Sequence, residues 1–458
     1  MVGTSDVATL DAIFKAYDVR GLVPEQLDPE LAGHVGRAFV KVTGAPAVVV
    51  GHDMRASSPG LAAAFADGAT DAGADVVALG LCATDQLYFA SGSLDLPGAM
   101  VTASHNPAAY NGLKLCRAGA RPIAYDTGLS QIRDLVARGA VTDPVEPGAV
   151  EERDLLASYA EHLVALAPVR GRRLRVVVDA GNGMAGLTVP AVAAVVGAEQ
   201  LVVDPLYFEL DGAFPNHEAN PIDPATLVDL QARVLATGAD AGLAFDGDAD
   251  RCFLVDERGH LVPPSSLTAL IAERELARHP GATVIHNLIT SRAVPELVTS
   301  LGGTAVRTRV GHSYIKATMA ETDAVFGGEH SGHFYFRDFW RADSGMLAAL
   351  HVLAALAASD APLSQLLARY EPYLHSGEIN TVVADPAVVL AGLRAEYGER
   401  DGVTLDELDG LTVSHRDWWF NVRPSNTEPL LRLNAEGADA ATLAAVRDDV
   451  LTRIRSHR

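Results

Sequence analysis

A threefold internal repeat constrains the fold of this chain most strongly. Each copy runs from an apolar strand into a polar turn, then through an alanine-rich helical stretch to a second strand and later a third. This alternation predicts α/β units with largely parallel strand pairing, and it is compatible with an antiparallel strand in each sheet. The first strands are AVVVGHDMR (47–55), RVVVDAGNG (175–183) and TVIHNLITSR (283–292).

The third strand of every repeat runs directly into a turn rich in Ser, Asp, Glu, His and Gly. Ligands of open α/β sheets bind beyond the carboxyl ends of the strands. We therefore expect the three turns to converge on one shared cleft. The strands with their turns read GAMVTASHNP (98–107), AGLAFDGDADR (241–251) and DAVFGGEHSGH (323–333).

From about Glu371 the order of strand-like and helix-like segments differs from that of the repeats. This order predicts a small α+β domain. There the strand-like segments WFNVR and LLRLNAE flank another polar loop, and a last amphipathic helix follows. The predicted fold is thus three similar α/β domains with mixed, largely parallel sheets, plus a C-terminal α+β domain around a central cleft. The predicted domains are 1–150, 151–255, 256–370 and 371–458.

Composition excludes several classes of function. The 458 residues include 36 basic and 58 acidic side chains, a formal net charge of −22, which argues against nucleic-acid binding. Three unpaired cysteines favour neither a disulfide framework nor a thiolate zinc site. Asp6 and Asp11 interrupt any signal-like start, and the longest apolar run, Met346–Ala358, is too short to span a bilayer. We expect a cytoplasmic protein without a membrane partner.

The DGDADR turn indicates a site for a hard divalent cation. Asp246, Asp248 and Asp250 alternate around small residues, so their carboxylates can converge on one ion. An EF-hand is one alternative, with Glu257 at the twelfth position, but Arg251 replaces its glycine and the flanks look like strands. A solvated acidic turn is the other alternative. Three carboxylates leave coordination positions vacant, which favours one Mg²⁺ completed by substrate oxygens.

The TASHNP turn presents a serine just past a strand end. Ser104, beside His105, is placed as a nucleophile or phosphate carrier would be. The alternative is an Asn-Pro turn with incidental hydroxyls. The Gly-x-Ser-x-Gly elbow of esterases is absent from this segment.

Two further loops carry groups suited to a phosphorylated polyol. GEHSGH offers Glu329, Ser331 and His333 to hydroxyl groups, with a flexible turn or a His-based metal site as alternatives. The second loop, RPSNTEP, combines a cation, polar side chains and backbone N–H groups in a tight turn, as in sites that hold a dianionic phosphate. A plain hairpin turn is its alternative. Its candidate ligands are Arg423, Ser425, Asn426 and Thr427.

These four loops, in this order, resemble the signature loops of the α-D-phosphohexomutase superfamily. KAYDVRG (15–21) and RVGHSYIK (309–316) resemble two further motifs of that superfamily, so the resemblance covers nearly the whole chain. GEHSGH and RPSNTEP are similar to the phosphomannomutase/phosphoglucomutase branch rather than the phosphoglucosamine branch. The resemblance implies four domains arranged around one deep cleft. In chain order they would be a phosphoserine domain (1–150), a metal-binding domain (151–255), a sugar-binding domain (256–370) and a C-terminal phosphate-binding domain (371–458).

The resemblance also implies roles for individual residues. Ser104 would carry a phosphoryl group, and Asp246, Asp248 and Asp250 would bind Mg²⁺ together with the Ser104 phosphate. His105, Glu329, Ser331, His333 and the Arg423 loop would contact the substrate, and His312 would lie near the sugar. At 286–292 the sequence HNLITSR departs from the usual lysine-containing loop and offers Arg292 instead. The residues lining the transfer site would be Arg20, Lys114 and Arg251.

The activity implied is the interconversion of hexose 1-phosphate and hexose 6-phosphate through phosphoserine and a hexose 1,6-bisphosphate, which would also be an activator. Mannose is the expected sugar, with glucose as a second, and a monomer or weak dimer is expected. Lys114 is the predicted general acid/base, with a pKa lowered by neighbouring cations. The alternatives are a phosphoglucomutase, a phosphoglucosamine mutase and, more remotely, a phosphosugar phosphatase or a non-catalytic sugar-phosphate sensor.

Overall fold

The computed structural model describes residues 7–139, 145–424 and 430–456, except for the side chains of residues 312 and 313. The described chain forms two compact units. The first contains residues up to Leu267 together with Ser331–Leu366, and the second contains Thr268–His330 and the chain from Leu367. No helix within the described ranges has the length and apolarity needed to cross a membrane.

The first repeat forms a mixed sheet in the order β1-β5-β4-β2-β3-β7, with β6 beside β5. Its strands are β1 (Val19–Leu22), β2 (Ala47–His52), β3 (Asp75–Leu81), β4 (Gly98–Val101), β5 (Tyr110–Arg117), β6 (Arg121–Pro122) and β7 (Val150–Glu152). Its helices are α1 (Val7–Ile13), α2 (Pro29–Thr43), α3 (Ser58–Asp71), α4 (Thr84–Leu94) and α5 (Leu129–Ala137).

The second repeat forms a sheet in the order β12-β11-β10-β8-β9. Strands β8 and β10 are buried along nearly their whole length because helices cover both faces of the sheet. Its elements are α6 (Leu156–Leu166), β8 (Leu174–Asp179), α7 (Ala185–Val196), β9 (Leu201–Leu206), α8 (Val228–Thr237), β10 (Ala241–Phe245), β11 (Cys252–Asp256) and β12 (Leu261–Val262).

The third repeat supplies elements to both units. After α9 (Pro264–Arg278), the second unit contains β13 (Thr283–Asn287), α10 (Ala293–Ser300), β14 (Thr304–Thr308), α11 (His312–Thr322) and β15 (Phe326–Gly328). The first unit contains the antiparallel pair β16 (Phe334–Phe336) and β17 (Ala342–Asp343), then α12 (Gly345–Ala357), and α13 (Leu363–Leu367) follows.

The predicted strand pairing is confirmed in all three repeats. In each, the first strand lies between the second and the third and pairs parallel with both, as β2 does with β3 and β4. An antiparallel strand follows the third strand in two repeats, β5 beside β4 and β11 beside β10. The polar turns therefore leave the carboxyl ends of equivalent strands.

The C-terminal segment is α+β, as predicted. Its antiparallel sheet has the order β18-β23-β22-β21-β20, with β19 also beside β23. Two helices pack on this sheet, and Tyr397 meets Phe420 at a ring-centroid distance of 4.8 Å. The elements are β18 (Leu374–His375), β19 (Ile379–Val382), α14 (Pro386–Gly398), β20 (Thr404–Asp406), β21 (Leu411–Ser414), β22 (Trp418–Pro424), β23 (Leu430–Gly437) and α15 (Ala440–Arg455).

The apolar run at 346–358 is a buried helix of the core. It forms α12, whose first turn is capped by Ser344 Oγ accepting from the N–H of Leu347 at 3.0 Å. His351 stacks on Phe336 at a ring-centroid distance of 5.2 Å and is buried with the rest of the helix. An all-round apolar helix is typical of a protein core.

Candidate active site

Three aspartates converge in the turn that follows β10. One carboxylate oxygen from each of Asp246, Asp248 and Asp250 lies within 4.8 Å of the others, and all three residues are buried. Burial and the neighbouring Asp248 raise the pKa of Asp250 well above its ordinary range. The turn connects two strands rather than two helices, so the EF-hand alternative is excluded.

Ser104 lies against this acidic turn. Its hydroxyl donates to Asp246 Oδ2 at 2.7 Å and lies 3.2 Å from His105 Nδ1. The contact needs a glycine in the acidic turn, because a Cβ added to Gly247 would lie 2.4 Å from the carbonyl oxygen of Ser104. The glycine of DGDADR therefore allows the serine loop and the acidic loop to meet backbone to backbone.

A buried arginine holds the serine loop in place. Arg55, which is 1% exposed, donates from Nη2 to the carbonyl oxygens of Ser104 (2.8 Å) and Asn106 (2.7 Å). Its Nη1 donates to the carbonyl oxygens of Pro107 (2.9 Å) and Tyr110 (3.1 Å). Asp53 balances its charge, with Oδ2 3.2 Å from Arg55 Nε. One guanidinium thus binds three carbonyl oxygens of the serine loop and that of Tyr110, the first residue of β5.

Lys114, on β5, forms ion pairs with two of the three aspartates. Its Nζ lies 2.6 Å from Asp248 Oδ2 and 2.6 Å from Asp250 Oδ2. Burial alone would lower the pKa of Lys114, but the two carboxylates outweigh it and raise the pKa well above the ordinary value. The predicted lowering of this pKa is therefore wrong, because the nearest charges are anions. Burial would raise the pKa of Asp248, yet Lys114 lowers it.

Arg251 and Arg20 bring two more cations to the same loops. Arg251 Nε donates to Asp246 Oδ2 at 2.9 Å, and Arg20 Nη1 donates to the side-chain oxygen of Asn106 at 2.7 Å. Burial, followed by the charges of Arg251, Arg20 and Lys114, lowers the pKa of His105 to about 2. His105 is therefore neutral at physiological pH.

The donor set fits a divalent cation that meets a phosphoryl group. Among the described residues, Asp248 Oδ1 and Asp250 Oδ1 are buried without a hydrogen-bond partner. Nearby, Arg20 Nε and Arg251 Nη2 are buried N–H donors that lack an acceptor within the same described set. Carboxylate oxygens are the ligands that Mg²⁺ prefers, and guanidinium groups suit phosphate. The acidic cluster can hold a metal ion.

The start of α4 supports the acidic turn. Thr84 donates from its backbone N–H to the carbonyl oxygen of Asp248 (3.0 Å) and from Oγ1 to Asp248 Oδ2 (2.6 Å). The next residue, Asp85, accepts from Tyr159 Oη (2.7 Å) and from Ser344 Oγ (2.6 Å). Burial raises the pKa of Asp85 to about 7.

Ser331 and His333, predicted to contact substrate, lie in the first unit. Ser331 Oγ is 3.0 Å from His333 Nδ1. His333 Nε2 is 3.7 Å from Asp250 Oδ1 and 3.9 Å from Asp343 Oδ2. His333 is thus beside an aspartate of the acidic turn.

The remaining predicted residues belong to the second unit. Glu329 is buried, and its Oε1 accepts from the N–H of Gly311 at 3.0 Å. Burial lowers the pKa of the next residue, His330, to about 4. Arg423, at the end of β22, donates to Glu378 Oε2 at 2.9 Å. Ser425, Asn426 and Thr427 lie outside the described residues, as does the side chain of His312.

Comparison with known proteins covers the whole chain. Residues 11–141, 157–259 and 263–373 match phosphoglucomutase/phosphomannomutase alpha/beta/alpha domains I, II and III, and residues 378–453 match the C-terminal domain. The phosphomannomutase of Salmonella montevideo is 40% identical over 452 residues, covering 97% of this chain and 99% of that protein. The chain belongs to the phosphoglucomutase/phosphomannomutase family.

Other members give the same result. The phosphomannomutase of Escherichia coli K12 is 39% identical over 446 residues, covering 96% of this chain and 97% of that protein. A solved structure of a phosphoglucomutase/phosphomannomutase family protein from Burkholderia thailandensis is 35% identical, covers 97% of both chains and has a TM-score of 0.88. The predicted superfamily and four-domain α/β fold are confirmed.

In this member of the family, the Arg292 side chain forms hydrogen bonds and an ion pair with residues of the C-terminal segment. Its Nη1 and Nη2 donate to the carbonyl oxygens of Arg416 (2.6 Å) and His415 (3.0 Å). Its Nε lies 3.3 Å from Oε1 of Glu436, which is fully buried. These contacts fix the loop after β13 against the C-terminal sheet within the second unit.

Sequence reasoning missed Arg55, Thr84 and Glu378. A signal existed for Arg55, because Asp53 and Arg55 follow β2 directly, at the strand end where polar turns gather in this family member. Thr84 carries no such signal, since it contacts Asp248 across 164 positions of sequence. Glu378 is an isolated acidic residue before a short strand.

Proposed function

We propose that this family member is a phosphohexomutase that interconverts hexose 1-phosphate and hexose 6-phosphate. Mannose is its main sugar and glucose a second one. The observation that carries the proposal is the contact of Ser104 Oγ with Asp246 Oδ2 at 2.7 Å, inside a buried cluster of carboxylates and cations. Relatives named phosphomannomutase, similar over their full length, support the choice of reaction and of sugar.

In the proposed reaction Ser104 carries the phosphoryl group. The bond between Ser104 Oγ and phosphorus breaks as a sugar hydroxyl oxygen bonds to that phosphorus, giving a hexose 1,6-bisphosphate. The hydroxyl proton leaves with a base, and Ser104 recovers a proton. The bisphosphate then turns around and returns its other phosphoryl group to Ser104. Such transfers depend on positioning and charge neutralisation more than on covalent assistance.

The chain's own cations do most of the positioning. Lys114 and Arg251 hold the acidic turn in place. Arg251 Nη2 and Arg20 Nε, which donate to no acceptor in the described part of the chain, are available to phosphoryl oxygens. We assign Lys114 to charge stabilisation beside the transferred group, because its paired carboxylates keep it protonated. Neutral His105 lies close enough to Ser104 Oγ to orient it.

We assign Asp246, Asp248 and Asp250 to one Mg²⁺ per chain. Asp248 Oδ1 and Asp250 Oδ1, which have no hydrogen bond to any described residue, support this assignment. When bound, the ion supplies charge stabilisation to the phosphoryl group. A hexose 1,6-bisphosphate acts as the activator, because it can phosphorylate a Ser104 that has lost its group.

We assign substrate contacts to all the residues predicted for this role, including His105, Ser331 and His333. Glu329, and by resemblance His312, contact the sugar. Arg423 with Ser425, Asn426 and Thr427 holds the phosphate that is not being transferred. Each of the four matched family domains then contributes one loop, in the order serine, metal, sugar and phosphate.

A coupled assay separates this function from its competitors. Purified protein with Mg²⁺ and a trace of glucose 1,6-bisphosphate receives mannose 1-phosphate, glucose 1-phosphate or glucosamine 1-phosphate. We expect the 6-phosphates of mannose and glucose, mannose turning over fastest, with no inorganic phosphate released. Stoichiometric release of inorganic phosphate would instead show a phosphatase. Binding without turnover of any sugar would show a sensor, and either result would overturn the proposal.

A further inference from the structure

Two arginines of the second unit face each other across neighbouring strands. Arg423 on β22 is the direct cross-strand partner of Arg432 on β23. Directly opposed side chains of an antiparallel pair lie close together, and like charges there are destabilising. Arg423 and Arg432 also precede and follow the polar loop at 425–429 along the chain. The fold thus places two positive charges at the base of that loop.

Glu378 lies between the two arginines. Its Oε2 accepts from Arg423 Nη2 at 2.9 Å, and its Oε1 accepts from Arg432 Nη1 at 3.0 Å. The carboxylate therefore bridges both guanidinium groups with one oxygen each, which is the contact that a phosphate group makes with paired arginines. The exposed side-chain fractions are 13% for Arg423, 27% for Glu378 and 31% for Arg432, so water reaches the bridge in part and a soluble anion can compete for it.

Hydrogen-bonding groups beside this bridge remain available. Arg423 Nε and His330 Nδ1 are buried and, among the described residues, lack hydrogen-bond partners. Glu378 and Arg423 are close enough to His330 to act on its pKa in opposite directions. N–H groups beside the bridge can therefore bind a further anion, and the carboxylate of Glu378 is the anion that the arginines bind in this structure.

We propose that Glu378 is a built-in counter-anion that competes with the substrate's phosphate for Arg423 and Arg432. This inference rests on the proposed function, in which the Arg423 loop grips the phosphate that is not transferred. The bisphosphate must release that grip once in every catalytic cycle to turn around. Binding energy that is equal in all states would slow this release without helping the chemistry. Glu378 weakens the binding of the phosphate, and it forms ion pairs with both arginines whenever the phosphate leaves.

The test replaces Glu378 by Gln, which keeps the size and removes the charge. We expect KM for hexose 1-phosphate to fall by about 3–10-fold and kcat to fall as well, because one like charge near the phosphate is worth about that much in affinity. Glu378→Asp keeps the charge and should restore most of the wild-type KM. Glu399→Gln changes the net charge equally at an exposed position on the same unit and should change neither constant.

A binding measurement keeps the inference separate from the proposed reaction. Calorimetry with glucose 6-phosphate, on protein carrying Ser104→Ala, reports affinity without turnover. We expect Glu378→Gln to tighten this binding by about 3–10-fold. Weaker or unchanged binding, in a variant whose Tm shows that it is folded, would overturn the inference and make Glu378 a support for the arginines. Absence of mutase activity in the unaltered protein would overturn the proposed function, whereas tightened binding would still support the competition.

Discussion

Ser104 has a backbone conformation that its residue type rarely adopts. Its φ is +51°, in the left-handed region that residues other than Gly, Asn and Asp seldom occupy. Neighbouring contacts hold it there, since the Ser104 N–H donates to Thr102 Oγ1 at 2.9 Å and Arg55 binds its carbonyl oxygen. Strain of about 1–3 kcal/mol is typical where a side chain must be aimed at a reacting group. This conformation directs the hydroxyl towards Asp246.

At the acidic turn, Asp248→Asn should abolish most activity and leave the fold intact. The change removes one charge from the cation site and weakens the pair with Lys114. We expect kcat/KM to fall by at least about 100-fold and Mn²⁺ affinity, measured by electron paramagnetic resonance, to fall with it. Asp256→Asn, at the far end of the same hairpin, is the control and should keep full activity. Near-normal turnover of Asp248→Asn with Mg²⁺ would refute the metal assignment.

Asp85 makes stability depend on pH. Its pKa is raised by burial from about 3.8 to about 7, so between these values the folded protein holds a proton that the unfolded chain has released. The contribution of Asp85 to stability therefore falls as the pH rises from 4 to 7. The side chain of Asp85→Asn cannot ionise. The difference in unfolding free energy between this variant and the wild type should therefore grow in favour of the variant from pH 4 to pH 7, and should be constant above pH 7.

Urea unfolding at pH 4.5 and pH 8 measures the Asp85 effect. We expect the stability difference between Asp85→Asn and the wild type to grow by about 1–4 kcal/mol between the two values, since one pKa unit corresponds to about 1.4 kcal/mol. Asp67→Asn, at an exposed position on α3, is the matched control and should show no such growth. A difference that is independent of pH would mean that Asp85 is ionised in the folded protein.

Helices α2 and α3 approach closely through glycines. A Cβ added to Gly68 would lie 2.0 Å from the carbonyl oxygen of Gly33, which is backbone and cannot move aside. Gly60, in the same helix, has open space around it. We expect Gly68→Ala to lower the unfolding free energy by about 1–3 kcal/mol or more, and Gly60→Ala to raise it by about 0.5 kcal/mol. Equal effects of the two variants in urea titrations would contradict this packing.

Elements differ in how far the sequence predicts them. Strands β2, β8 and β13 could be predicted because a buried strand appears in the sequence as an apolar run. The repeat predicted that each of them is the first strand of its unit. The role of α4 could not, because it depends on Thr84 meeting Asp248 far away in sequence. The bridge by Glu378 depends on strand register in the same way, since register pairs Arg423 with Arg432. Sequence patterns reveal the periodicity of helices and strands, but the contact partners of a side chain depend on the tertiary structure.

At the scale of the whole molecule, the chain is acidic but has several basic side chains close together at the serine loop and the acidic turn. The net charge is −22, yet Lys114 and Arg251 contact the acidic turn of the first unit, and Arg20 contacts Asn106 in the serine loop. Three of the predicted loops, TASHNP, DGDADR and GEHSGH, follow strand ends, but GEHSGH is divided, with Glu329 in the second unit and Ser331 in the first. No strand pattern marks that division. The shared cleft and the domain boundaries stay predictions.

Phosphorylation of Ser104 is the central claim, and mass spectrometry of the purified protein tests it most directly. We predict a fraction heavier by about 80 Da, the mass of one added phosphoryl group, mapping to the TASHNP peptide. Phosphatase-treated protein should lose this fraction and its activity, and should regain both with hexose 1,6-bisphosphate. Ser104→Ala should show neither the mass shift nor the rescue. Substantial hexose phosphate isomerisation by Ser104→Ala would contradict the account.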